Sequence, residues 1–363
     1  MSSPFDLAAF WSQWPKAVAD ETAVAAGRIT RWPSLWERSR RVRKGSSPAE
    51  VVYEEDRLKV LHYLGNASPR HKTPLVFVYA LVNRPYILDL KKGRSVIANF
   101  VEAGFDTYLV DWGIPTSADR HLMLDDYING YLVNVLDFLR ERTGVQKASV
   151  LGYCMGGTMS AMFAALHPQR VRNLILLAAP IDFASTESLL NVWTRDFDVD
   201  KFVDAFGNCP AEFLQMSFQL LRPVANWIEK PIRFYEHMHE EEFLEDFLTT
   251  ETWLQDNIPV PGEVYRQFVK YLYQKNLLTQ NRMPVGKHIV NLRNIRCPVM
   301  SIMAGKDDLV PSAQSLPFND LVGSKDRRVL LLPGSGHIGL AIGSRAQKEV
   351  WPQACGWLAE RST

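Results

Sequence analysis

Long apolar blocks alternate with amphipathic ones through much of this chain. From Leu75 the run LVFVYAL is continuously apolar, a stretch read as helical extends through Phe100, and TYLVDW follows. Continuous hydrophobicity over so few residues suits strands buried on both faces. A helical pattern from Leu124 to Arg142, the run ASVLGY, a helix from Met155 to Leu166 and the run LILLAAP repeat the alternation, which predicts a parallel sheet flanked by helices. Between Ile181 and Val290 the strand signal vanishes in favour of aromatics and helix formers, as in EKPIRFYEHMHEEEFLEDFL. It resumes at Val299 to Gly305 and at Val329 to Gly334, before a last helix from about Arg345 to Glu360. The expected organisation is an α/β core from 66–180 and 291–363, interrupted by a mainly helical cap at 181–290. Residues 1–65 form an N-terminal segment packing on the core, with helical patches around Trp11, Trp14, Trp32 and Trp36 and strand-like alternation from Val51 to Leu64.

Composition narrows the partners. The 41 basic residues nearly balance the 40 acidic ones, so no global field draws the chain to nucleic acid or to an anionic membrane. Within Glu37 to Lys44 stand Arg38, Arg40, Arg41, Arg43 and Lys44; a solvated helix face is the plainer reading, and contact with phosphate groups or an acidic partner the other. The apolar runs fall far short of the roughly 18 residues a membrane span needs. The opening MSSPFDLAAFWSQW lacks a basic segment followed by an apolar core, so a cytoplasmic protein is expected. Four scattered cysteines, Cys154, Cys209, Cys297 and Cys355, form no C-x-x-C pair, and neither a zinc site nor a disulfide framework nor any cofactor is expected. Cys297, opening a strand, and Cys355, in an apolar helix, read as buried structural thiols.

Cys154 reads differently. LGYCMGGT places it between an apolar strand and a helix, with Gly152 two residues before it and Gly156 two after, which is G-x-S-x-G with cysteine for serine. That spacing builds the nucleophile elbow of the α/β-hydrolase fold, where a strained strand-to-helix turn leaves no room for flanking side chains. A helix N-terminus favours thiolate over thiol, and the Met155 amide is available to an oxyanion. The competing readings, a structural cysteine or a nucleotide-binding turn, lack support because no G-x-G-x-x-G or G-K-[ST] occurs here. In this fold an acid and then a histidine follow on loops beyond later strands. KDDLVP follows VMSIMAG and SGHIG follows VLLLPG, which makes His337 the candidate base and leaves Asp307 and Asp308 both open as the acid. The Val82 amide, in the loop ALVNRPY after the first core strand, is the candidate second oxyanion donor. Asn83 and Arg84 there are candidates for substrate contact, beside plain loop structure.

Taken together, G-x-C-x-G-G at Gly152 to Gly157, VNRPYILDL at Val82 to Leu90, DWG at Asp111 to Gly113, D-x-L-V-P at Asp307 to Pro311 and GHIG at Gly336 to Gly339 make the chain resemble, over nearly its whole length, the catalytic subunit of the two-component (class III) polyhydroxyalkanoate synthases. The resemblance implies Asp307 as the acid, since the family places it first in that motif, with a possible task in activating the substrate hydroxyl. It also implies (R)-3-hydroxyacyl-CoA as substrate, a Cys154 thioester intermediate, a polyester on cytoplasmic granules as product, a non-catalytic partner subunit of the PhaE type, and a homo- or hetero-oligomer. Two rival readings are a cysteine hydrolase resembling dienelactone hydrolase and an inactive granule-binding protein. The first is disfavoured by the long helical insertion, the second by the intact Cys154, Asp307 and His337.

Overall fold

A computed structural model describes residues 32–65 and 68–362, so Trp11 and Trp14 lie outside it. The chain forms two compact units, residues 44–222 with 253–363, and a smaller one combining the described residues up to 43 with 223–252. The 181–290 stretch is thus shared between them, and the strand pair before Gly65 belongs to the larger.

The larger unit is built on eight strands: β1 Ala49–Glu55, β2 Leu58–Tyr63, β3 His71–Val78, β4 Phe105–Asp111, β5 Ala148–Tyr153, β6 Val171–Leu177, β7 Val299–Ala304 and β8 Arg327–Leu332. Their order across the sheet is β1-β2-β4-β3-β5-β6-β7-β8. β2 pairs antiparallel with β1 and β4, and the other ladders are parallel. Every residue of β5 and β7 is buried, as expected of strands covered by helices on both faces. α1 (Val96–Glu102), α2 (Leu132–Thr143) and α3 (Met155–Leu166) supply part of that cover. α3 is buried from Met155 to Ala165, and its two polar side chains are satisfied, Thr158 donating to the Pro180 carbonyl and Ser160 to the Gly156 carbonyl, both at 2.7 Å. β8, at the sheet's edge, leaves Val329 and Leu331 exposed.

Three segments depart from the sequence expectation. Residues between Leu81 and Ser95 are not helical but run as a loop, a 3₁₀ turn Pro85–Leu88 and a short hairpin of Asp89–Lys91 with Arg94–Ser95. Pro85 supplies no N–H, and the buried Asp89 carboxylate accepts from Ser46 and Ser47, through both backbone and hydroxyl, and from the Ser95 hydroxyl. The terminal helix is divided into Ser344–Glu349 and Trp351–Ala359, because Pro352 cannot continue a helix already running. Within 181–290, otherwise helical, Met283–Val285 and His288–Val290 form a two-stranded hairpin.

In the smaller unit, helix Trp32–Arg40 contributes Leu35 to an apolar cluster with Met238 and Leu244. Arg38 pairs with Glu241 at 2.7 Å and Arg41 with Glu37, while Lys44, in the larger unit, pairs with Asp256. Arg38, Arg41 and Lys44 thus have carboxylate partners, which favours the structural reading of that run over phosphate contact.

Candidate active site

At the carboxyl end of β5 the backbone turns sharply at Cys154, whose φ of 54° and ψ of −127° lie in a region costly for any residue but glycine. Its N–H is tied to the Leu177 carbonyl of β6 at 2.9 Å. The flanking glycines are required by close approach. A Cβ on Gly152 would meet Gly157 Cα and Ser160 Oγ at 2.5 Å, and one on Gly156 would meet the Val78 and Tyr79 carbonyl oxygens at 2.4 and 2.5 Å. Absence of side chains here lets the start of α3 press against the end of β3. Cys154 stands at the N-cap of α3, and Met155, first in the helix, has an N–H with no acceptor inside it.

Asp307 lies just beyond β7, its side chain fully buried. One oxygen, Oδ1, accepts from the Leu309 and Val310 amides at 3.0 and 2.8 Å. The other, Oδ2, lies 2.7 Å from His337 Nδ1. Asp308 points away, its side chain 54% exposed and 3.4 Å from Arg222. The carboxylate that touches the histidine is therefore Asp307. His337 is the first residue of α4 (His337–Ile342) rather than a loop residue. Its side chain is 13% exposed, hydrogen bonds with Asp307 and lies within reach of the Cys154 charge. Burial alone would disfavour the imidazolium, yet the charges of Asp307 and Cys154 and the hydrogen bond to Asp307 raise the His337 pKa from 6.5 to about 10. Thiol, imidazole and carboxylate thus form one connected line able to take a proton from sulfur and return it to a leaving group.

The loop after β3 is held from several sides. Trp112 Nε1 donates to the Tyr79 carbonyl at 2.9 Å, and the Tyr79 hydroxyl donates to Asn83 Oδ1 at 2.6 Å. Arg84 pairs with Asp111 at 2.9 Å, while its carbonyl accepts from Trp253 Nε1 at 2.8 Å. Val82 lies between these anchors, its carbonyl accepting from the Ile258 amide at 3.3 Å. Both side chains weighed for substrate contact, Asn83 and Arg84, thus have protein partners that brace the loop. The segments VNRPY and DWG, far apart in sequence, meet here.

Two other histidines have settled partners. His167 bonds Asn129 at 2.7 Å and His62 bonds Asp106 at 2.8 Å. Burial pushes the Cys209 and Cys355 thiols up to about 12 and the Cys297 thiol to about 11. Three phenols around Cys154 escaped sequence reasoning. Tyr79 and Tyr273 have pKa values raised by burial and then by the Cys154 charge, and the Tyr153 ring lies against His337. Only Tyr153 carries a sequence signal, its place inside G-x-C. Among the described residues no group of acidic, histidine or cysteine side chains could hold a metal ion, and no helix is long and apolar enough to cross a membrane.

An elbow nucleophile position on this strand order, with acid and histidine after later strands, defines an α/β-hydrolase fold. Residues 73–343 match the family described as alpha/beta hydrolase fold. Solved structures agree on the fold: the monoacylglycerol lipase of Paleococcus ferrophilus (16% identity, TM-score 0.51, 84% of this chain and 99% of that one) and Est1E from Butyrivibrio proteoclasticus (15%, 0.51, 87% and 99%). Closer relatives narrow the family. Residues 43–100 match the N-terminus of poly-beta-hydroxybutyrate polymerase (PhaC). The chain is 44% identical to the poly(3-hydroxyalkanoate) polymerase subunit PhaC of Haloferax mediterranei, over 96% of this chain and 70% of that protein. It is 42% identical to the subunit of the same name from Allochromatium vinosum, over 87% and 90%. The chain belongs to the poly(3-hydroxyalkanoate) polymerase PhaC family.

Proposed function

We propose that this chain is the catalytic subunit of a polyhydroxyalkanoate synthase that polymerises (R)-3-hydroxyacyl-CoA, with 3-hydroxybutyryl-CoA the expected monomer. The observation that carries the reading is a cysteine, not a serine, at the elbow of a chain belonging to the polymerase family, in line with His337 and Asp307. Cys154, its proton already handed to His337, attacks the thioester carbonyl through sulfur. The bond from carbonyl carbon to CoA sulfur breaks, and the proton returns to CoA as it leaves. Thioester is exchanged for thioester, so the acyl group stays activated for attack by a hydroxyl of the next monomer or chain. A serine ester would surrender that activation. Asp307 holds His337 in the required tautomer and compensates its charge, and in this reading it also faces the substrate hydroxyl whose proton is removed during elongation. The Met155 and Val82 amides are the proposed donors to the developing oxyanion.

Domain organisation follows the same reading: the α/β core carries the chemistry, and the helical stretch 181–290 serves as a lid that keeps water from the acyl-enzyme. The resemblance to the two-component class extends the proposal to a non-catalytic second subunit and to residence on polyester granules in the cytoplasm. Purified chain with 3-hydroxybutyryl-CoA should release CoA and form insoluble polyester, more so with the second subunit, and Cys154→Ala should abolish both. Release of CoA with free hydroxy acid as the sole product would instead mark a hydrolase, and absence of CoA release with or without the second subunit a non-catalytic protein.

A further inference from the structure

We propose that Tyr153 is a positioning residue for His337: its ring steadies the imidazolium, and its hydroxyl pins the backbone on which the imidazole is mounted. This rests on the reading of Cys154 and His337 as the reacting pair. Tyr153 ends β5, occupies the middle of G-x-C and is 1% exposed. Its ring stacks on the His337 imidazole with centroids 5.1 Å apart and planes 19° from parallel. Its hydroxyl donates to the His337 backbone carbonyl at 3.1 Å.

The two contacts do different work. Asp307 grips the imidazole at one nitrogen, which leaves the ring free to tilt about that hydrogen bond. A flat aromatic surface against the imidazole face opposes the tilt. The negative face of the phenol ring also favours a cation, which is the form His337 takes after receiving the Cys154 proton. The hydroxyl acts on the main chain, locking the first turn of α4 to the strand that carries the nucleophile. Because Tyr153 is the residue before Cys154, base and nucleophile are then registered to one another through a single side chain. Tyr79, 5.7 Å from Tyr153 between ring centroids, packs beside it.

The test compares Tyr153→Phe, which keeps the ring and removes the hydroxyl, with Tyr153→Leu, which removes both. Two readouts are needed: the pH dependence of Cys154 alkylation by iodoacetamide, with Cys154→Ser as background, and kcat and KM for CoA release from 3-hydroxybutyryl-CoA. In Tyr153→Leu the alkylation midpoint should rise by about one pH unit as the imidazolium loses its support, and kcat should fall about tenfold with KM unchanged. Tyr153→Phe should keep the wild-type midpoint and lose about threefold in kcat. A Leu variant with wild-type midpoint and kcat would overturn the proposal. Should Tyr153→Leu fail to fold by circular dichroism, an unchanged kcat in Tyr153→Phe would do so. If wild-type protein releases no CoA with or without the second subunit, the polymerase reading fails, whereas the alkylation midpoints still decide the role of Tyr153.

Discussion

The elbow end of the sheet and the insertion helices between Leu189 and Leu220 solve opposite packing problems. At the elbow, glycines at 152, 156 and 157 interlock backbone with backbone, and the polar side chains nearby have named partners. In the insertion, Leu189, Val192, Trp193, Phe206, Phe213, Met216 and Leu220 lie exposed on helices that bury few of their own apolar groups. A site that must hold a thiol, an imidazole and a carboxylate in line has no slack for substitution, whereas an exposed apolar helix face has a great deal. Predictions that separate the two regions run from kinetic collapse to near silence.

The sharpest contrast is between neighbours. Asp307→Asn keeps an acceptor for the Leu309 and Val310 amides but removes the charge facing His337, and should lower the rate of CoA release about 10³-fold. Asp308→Asn should stay within about threefold, since its side chain is exposed beside Arg222. Equal losses in the two variants would remove Asp307 from the proposed triad. Next in size is Gly156→Ala. Its methyl would fall 2.4 Å from the Val78 carbonyl oxygen, a backbone atom that cannot step aside, so the variant should lose about 2 kcal/mol of stability in urea titration together with most of its activity.

A pH experiment reads the same site through stability. The folded-state pKa of His337, about 10, exceeds the ordinary 6.5, so folding is favoured by protonation of this group. The contribution is complete below about pH 6.5 and is lost as pH rises through about 10. The gap in unfolding free energy between wild type and His337→Gln should therefore shrink across that window. A gap that is flat or widening with pH would show that the imidazole is not held as a cation.

These residues differ in how far they could be read from the chain itself. The parallel strands were legible because strands buried on both faces must be almost wholly apolar, as ASVLGY and VMSIMA are apart from Ser149 and Ser301. The turn at Cys154 was legible because its glycines answer a local steric demand. Asp307 and Asp308 were not separable by residue chemistry, since a one-residue difference in where the turn points a side chain leaves no trace in composition; the choice came from a family motif, and the contact with His337 falls on Asp307. Residues 81–95 misled because their apolar periodicity is spent on a buried loop, whose polar anchors Asp89, Ser46 and Ser47 lie some forty positions apart. Arg84 was weighed for the substrate because its partner, Asp111, is likewise distant in sequence and meets it through the adjacency of β3 and β4. Long-range pairing of this kind is what a periodicity reading cannot see.

The smallest effect belongs to the insertion. Phe206, at the end of helix Val199–Phe206, is 62% exposed, and Met216, within helix Ala211–Leu220, is 61% exposed. Each already stands mostly in water, so replacing it by serine removes little buried area. The stability cost of Phe206→Ser or Met216→Ser, read by urea titration of the isolated chain, should stay within about 0.5 kcal/mol. Val203, on the same helix as Phe206, is 5% exposed and belongs to a cluster with Val199 and Val269. Val203→Ala should cost more than either serine variant, because it opens space that its neighbours cannot fill. Should the exposed positions prove as costly as Val203, the helices must be packed more closely than their exposure indicates, and the contrast with the elbow would narrow to a difference in chemistry alone.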